Sequence, residues 1–361
     1  QESVLQKILC PMRYIGMVRI LCLLTHLGII FRVTHFRGRN RVVERKEEYS
    51  LFCNKEYVPI YSKPWWLDAV CGANNWDVWL YKPNGIVEAA MPFYIENRNG
   101  YRYITKAPLT QNNGIIFKDI SQYREAAKEK FEEKVINEAC EYISSINVDV
   151  YEQQYQPEFT NWLPFFWNHY KAIVRYTYEI EDLTDMEKVW NNFDKNRRSK
   201  IKKGEKNANF IETTDYVQFY VEHEKIFTKQ GLKCPFSMDL WERLVKSCVQ
   251  NDAGKMTLAV TNDGTPTSVS FVVWDERKLY RLLGGGVPEF QNLDTYSAIT
   301  WHEMKLAHEK NLIYDFEGSV IKRIAKVNRE YGAIPKPYFR IRKVFSSDIL
   351  KKEYHEEIEQ L

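Results

Sequence analysis

Between residues 76 and 105, apolar and polar positions alternate with the period of a strand, and turn residues interrupt the alternation. The pattern predicts strands at 77–81, 86–95 and 101–105, with Asn84-Gly85 and Asn99-Gly100 turning the chain between them. A second meander of the same design is predicted at 256–261, 265–274 and 279–283, with Asp263-Gly264 at its first turn. After each meander the period lengthens to that of a helix, at 122–146 and again at 294–310. Short strands follow at 148–151 and 312–316, then partly helical stretches at 157–170 and 320–331. Strands at 173–180 and 338–344 close the two series. The order β-β-β-α-β-α-β thus occurs twice. An antiparallel meander followed by crossover connections predicts mixed sheets with helices on their faces.

Between the two series, Thr184 or Asp185 can start a helix. Met186, Val189, Trp190, Phe193, Arg197 and Ile201 then fall on one stripe of a single helix within 182–208. Further helices are predicted at 216–230 and 237–250. The expected organisation is an amphipathic or poorly ordered extension at 1–48, one α/β domain at 49–181, a second, catalytic one at 182–345, and a charged tail at 346–361.

Composition narrows the classes. The chain of 361 residues is 44% hydrophobic and 27% charged, which excludes a disordered or low-complexity protein. The net charge of +3 leaves no global polycation for nucleic acid, although residues 1–50 hold an excess of five positive charges. Seven cysteines with no C-x-x-C spacing read as reduced thiols rather than a disulfide framework or zinc site, with Cys234 the loop candidate for reactivity. The apolar run near residues 14–33 is interrupted by Arg19, His26 and Arg32, and its uncharged core is short for a bilayer span. With the basic residues after it, the segment 14–46 reads either as an amphipathic or poorly ordered extension or as a membrane anchor with a basic cytoplasmic flank, making a peripheral membrane contact. The expected location is the cytoplasm, including the inner membrane face.

Four motifs in order carry a resemblance. Pro64-Trp65-Trp66-Leu67-Asp68-Ala69-Val70 opens the first series, and Trp190 to Lys202 spells W-x6-R-x3-I-K. Leu283-Gly284-Gly285 is followed by Asn292 and Trp301, and Asp315-Phe316-Glu317-Gly318-Ser319 ends the late strand. Across residues 49–344 this resembles the FemAB-like branch of the GNAT acyltransferase superfamily, whose members carry tandem GNAT domains. The resemblance implies transfer of an acetyl or aminoacyl group from acyl-CoA or aminoacyl-tRNA to an amine, in cell-envelope, peptidoglycan or polysaccharide synthesis. The implied acceptor is a small-molecule, sugar-nucleotide or lipid-linked amine; tRNA is the alternative donor-side partner, and no metal is required. A rival reading is a non-catalytic binding protein on a degenerate GNAT scaffold. The transferase reading depends on paired lobes with an open crevice; a single continuous sheet, or a second lobe plugged by side chains, counts against it.

Such chemistry needs a neutral amine, a partner for the oxyanion and correct positioning, but no enzyme nucleophile. Asp315 and Glu317 lie two apart at a strand end, so both carboxylates point to one side. Either can take the amine proton; either can instead serve in a salt bridge or cap. Tyr338 and Tyr280 are candidates to protonate the leaving group, or core phenols. Arg197 interrupts an apolar stripe, so it grips a substrate phosphate or pairs with a structural carboxylate. Arg198 and Lys202 extend a basic surface around it, read as a phosphate or tRNA contact or as a solvated face. Arg281 through Gly286 fits R-x-x-G-x-G, and Gly284 and Gly285 are expected either to present N–H groups to an anion or to form a tight turn. Asn292 and Ser319 are candidate substrate contacts or caps. Glu303, amid the apolar arc of its helix, is expected to pair with a base such as Lys305 or an arginine.

Overall fold

The computed structural model describes residues 30–318 and 320–359. The chain runs α1 (Ile30–Cys53), α2 (Pro64–Cys71), β1 (Trp76–Tyr81), β2 (Ala89–Arg98), β3 (Tyr101–Thr105), β4 (Ile116–Phe117), α3 (Glu125–Ser145), β5 (Val150–Gln154), α4 (Leu163–Trp167) and β6 (Lys171–Ile180). It continues α5 (Met186–Asn191), α6 (Lys195–Asn207), β7 (Asn209–Thr213), α7 (Tyr216–Thr228), α8 (Met238–Gln250), β8 (Gly254–Val260), β9 (Pro266–Trp274) and β10 (Lys278–Gly286). The last elements are α9 (Thr295–Glu309), β11 (Ile313–Asp315), α10 (Lys322–Glu330), β12 (Ile334–Val344) and α11 (Ser347–Glu359). Both meanders form where the alternation places them. At the β2–β3 turn Asn99 and Gly100 both have positive φ (51° and 85°), as a two-residue hairpin requires. At the other two turns only Gly85 and Gly264 are left-handed.

The strands join in one mixed sheet, in the order β1-β2-β3-β5-β12-β6-β11-β10-β9-β8-β7, with β4 beside β2. This order corrects the expectation of a separate sheet for each half. The closing strands are exchanged: β12 pairs with β5 of the first half, and β6 pairs with β11 of the second. The two closing strands then pair antiparallel with each other from Ile334 opposite Glu179 to Arg342 opposite Lys171. Tyr338 opposite Arg175 is the middle pair of that ladder. The core follows the sheet across both halves. Tyr61 packs edge-on to Trp66 at 5.0 Å between ring centroids and tilts against Tyr280 at 5.1 Å. Residues 49–361 accordingly form one compact unit.

Two further expectations are corrected. The single helix within 182–208 is broken into α5 and α6. The Asp185 side chain accepts the N–H groups of Glu187 and Lys188 to start α5. Arg198 then donates to the carbonyls of Asn191 (2.9 Å) and Phe193 (2.5 Å), satisfying the end of α5 where a continuous helix would run on. The segment 346–361 contains helix α11 rather than a tail, tied to β12 by Arg342 Nη1 donating to Glu353 at 3.1 Å. Of the predicted extension 1–48, residues 30–48 belong to helix α1, which runs on to Cys53, and residues 1–29 lie outside the described part. Among the described residues, no helix is long and apolar enough to cross a membrane.

Candidate functional site

The site lies where two parallel strands part. β10 and β11 are paired only from Lys278–Ile313 to Tyr280–Asp315. Beyond that point β10 runs on along β9 to Gly286, while the chain after Asp315 turns along β6, Phe316 N donating to Tyr178 O at 2.9 Å. The opening forms a cleft of about 860 Å³, bordered by Lys106 and Gln111 from the first half and by Arg281, Gly284 and Glu317 from the second. The continuous sheet is the outcome set against the transferase reading above, whereas the crevice that the reading also required is open.

The two carboxyl groups at the end of β11 differ in surroundings. Asp315 is 5% exposed. Its Oδ1 accepts from Thr177 Oγ1 at 2.5 Å and from the Glu317 N–H at 2.7 Å. Burial and the neighbouring Glu179 charge push its carboxyl up to about 7, against the opposing pull of Lys278 and Thr177. Glu179 in turn accepts from Lys278 Nζ at 2.6 Å, and Lys278 also meets Glu158 at 2.6 Å. Burial alone would lower the Lys278 ammonium, but these carboxylates outweigh it and hold it above its ordinary range.

Glu317 has a left-handed backbone, φ 58°, fixed by Asp315 below its N–H and by Gln111 Nε2 donating to its carbonyl at 2.6 Å. Its Oε1 is buried with no hydrogen-bond partner among the described residues. Burial raises its carboxyl well above the ordinary range. The side chain borders both the large cleft and a small adjoining cavity shared with Thr177, Asp315 and Tyr338. The Glu317 carboxyl thus stands at the border of the cleft with no structural ion pair among the described residues. Gly318 follows with φ 61°, and a Cβ there would lie 2.3 Å from Tyr176 O, so only glycine lets the chain turn beside β6.

The remaining predicted residues divide. Tyr338 joins the site: it borders the small cavity, and burial raises its phenol, with Glu317 and Asp315 adding to the rise and Arg175 and Arg340 opposing it. Tyr280 borders the same cavity, but its hydroxyl donates to Asp275 at 3.1 Å and it is 4% exposed, a core phenol. Of the two readings of Arg197, the structure shows the pairing with a structural carboxylate and not the substrate grip. Its Nη2 pairs with Glu330 at 2.6 Å, its Nη1 donates to Ser297 at 2.7 Å, and its guanidinium covers the Tyr331 ring. Arg198 is a helix cap, and Lys202 lies over Trp190 at 5.9 Å. Gly284 and Gly285 form no anion loop. They continue β10 opposite Ser270 and Val269, and their missing side chains admit Tyr296 on one side and Ile226 on the other. Asn292 offers its carbonyl to Lys203 at 2.5 Å. Ser319 lies outside the described residues.

Glu303 pairs with Arg281, whose Nε is 3.0 Å from Oε2 and whose Nη2 donates to Thr300 at 2.6 Å. Ser270 Oγ donates to the other Glu303 oxygen at 2.5 Å, and the Tyr314 hydroxyl also reaches Glu303. The network fixes Arg281 as a wall of the cleft. Sequence reading missed Gln111, Thr177, Glu179, Lys278 and Arg175, whose roles arise only once the halves exchange strands. Among the described residues, no group of three or more His, Cys, Asp or Glu side chains is placed to hold a metal. A second depression of about 470 Å³, beside Tyr57 and Glu158, contains none of the predicted site residues.

Comparison with known proteins bears on this geometry. Residues 191–320 match the acetyltransferase (GNAT) domain family. Among solved structures, FemX is similar at a TM-score of 0.57 and 12% identity, over 78% of this chain and 91% of that one. A conserved protein of unknown function from Bacteroides thetaiotaomicron VPI-5482 is similar at 0.50 and 10% identity, over 84% and 97%. No curated protein sequence matches the chain. Domain match and fold together agree with the resemblance read from the motifs: residues 191–320 match the GNAT acetyltransferase domain family, and the chain shares its mixed-sheet fold with FemX.

Proposed function

We propose that the chain is an N-acyltransferase that carries an acetyl or aminoacyl group to an amine bound in the cleft, with Glu317 as general base. The observation that carries the reading is the buried, unpartnered Oε1 of Glu317 at the mouth of the strand opening. The amine nitrogen bonds to the donor carbonyl carbon, and the carbon–sulfur bond of a thioester, or the carbon–oxygen bond of an ester, breaks. The ammonium proton passes to Glu317, and Tyr338 supplies a proton to the departing thiolate or alkoxide. Among the described residues, the edge of β10 beyond Tyr280 has no strand partner on the side of the cleft, and it offers backbone groups to an extended amide-containing donor.

Acyl-CoA suits this edge, and aminoacyl-tRNA is the alternative donor. The acceptor classes are small-molecule, sugar-nucleotide or lipid-linked amines of cell-envelope, peptidoglycan or polysaccharide synthesis, reached in the cytoplasm or at the inner membrane face. The domain match from 191 to 320 and the fold shared with FemX support the reaction class. A thermal-shift series with acetyl-CoA tests the donor: dose-dependent stabilisation supports acyl-CoA. Stabilisation by tRNA with a steep salt dependence, weakened in Lys202→Ala and Lys203→Ala, moves the reading to aminoacyl-tRNA. A chain that responds to neither and turns over no donor is a binding scaffold.

A further inference from the structure

On the first-half side of Glu317, the sheet face carries more positive charge than its neighbours neutralise. Tyr338 and Arg175 are cross-strand partners, and Arg340 stands two residues along β12 on the same face. The Arg175 side chain makes no hydrogen bond or ion pair among the described residues, and its Nε is buried without a partner. Lys106, at the border of the cleft, has one long contact, 3.4 Å to the neutral amide of Gln111. Arg340 reaches Glu152, but that carboxylate also serves Arg342 at 3.0 Å. One shared carboxylate therefore faces Lys106, Arg175 and Arg340.

Mutual repulsion is evident in the group. The Lys106 ammonium is pushed below its ordinary range by burial, then by Arg340 and Arg175. Three cations are not crowded in a half-buried site without cost, and an oxyanion removes that cost while filling the donors of Arg175. Of the three, Lys106 borders the cleft; the wall opposite it, along β10, is the donor's side in the reading above, which leaves the Lys106 side to the acceptor.

We propose that Lys106, Arg175 and Arg340 form a subsite for an oxyanion, carboxylate or phosphate, carried by the acceptor beside its reacting amine. The proposal rests on the cleft being the transfer site, and it restricts acceptors to amines that bear a nearby negative group. Simple alkylamines leave the cations unpaired.

The test is binding without donor or turnover, so that it stands apart from the role of Glu317. The full chain is titrated with inorganic phosphate and with succinate by calorimetry, at ionic strength held constant with potassium chloride. The same is done for Arg175→Gln and Lys106→Gln, each checked for native circular dichroism. Saturable binding of either anion, weakened about tenfold in each variant, is the expected result. Binding of phosphate alone assigns a phosphorylated acceptor, and binding of succinate alone a carboxylated one. Should Arg175→Gln fail to fold, Lys106→Gln decides. Absence of binding above the chloride control, or equal affinity in the folded variants, overturns the subsite and leaves the Glu317 assignment standing.

Discussion

Thr177 Oγ1 donates to Asp315 Oδ1 at 2.5 Å, joining β6 of the first half to β11 of the second at the small cavity that adjoins the cleft. The bond exists because the closing strands are exchanged. It places Asp315 under Glu317, where its carboxylate also takes the Glu317 N–H and holds that residue's backbone in place.

Asp315 gives the fold a pH dependence of definite sign. Its carboxyl is raised by burial and Glu179 to about 7, from 3.8 in an unfolded chain. Between these values the folded state binds more protons than the unfolded one, so this group makes stability fall as pH rises from about 4 to 7. Asp315→Asn removes that slope. Urea denaturation across this window should show a flatter profile for the variant, and an unchanged profile would exclude Asp315 as its source.

Arg197 and Glu330 are a structural pair. Their contact at 2.6 Å is buried, with side chains 6% and 14% exposed. Arg197→Ala leaves Glu330 without its partner and should cost about 3 kcal/mol in chemical denaturation. At a temperature where the variant is folded, KM for both substrates should stay within about twofold of wild type, since the residue clamps α6 to α9 and α10 without bordering the cleft.

Gly318→Ala tests the turn after Glu317. The new Cβ would approach Tyr176 O to 2.3 Å at a positive φ of 61°. Destabilisation of about 1–3 kcal/mol is expected from the strain, together with a fall in kcat as Glu317 is displaced. Wild-type stability and rate would mean that the turn relaxes freely.

Much of the fold was legible because local signals fix it. Asn99-Gly100 and the flanking alternation set the first meander, and residues 294–310 announce α9 by period alone. The strand exchange was not legible: the pattern in 173–180 and 338–344 makes strands but does not name the edge each joins, which is a long-range choice. The break between α5 and α6 was hidden for a related reason, since Arg198 caps α5 with a side chain that in sequence reads as surface charge. Arg197 was correctly seen to need an anion, but its partner Glu330 lies on α10, far along the chain. Asp315 and Glu317 were visible as a pair at a strand end. Their difference was not, because it comes from Thr177 and Glu179 on the exchanged strand.

Glu317 carries the proposed chemistry, and the most direct measurement is the pH dependence of acyl transfer to an amine panel by wild type and Glu317→Gln. Thiol release from acetyl-CoA, or loss of label from aminoacyl-tRNA, is followed in each. For wild type, kcat/KM should rise with pH through a value well above the ordinary carboxylate range, because only the deprotonated form accepts the amine proton and burial displaces that form upward. The glutamine variant should fold natively, lose about 10²–10⁴-fold in kcat, and lose this acidic limb. A folded variant that retains the wild-type rate and pH profile would contradict the assignment.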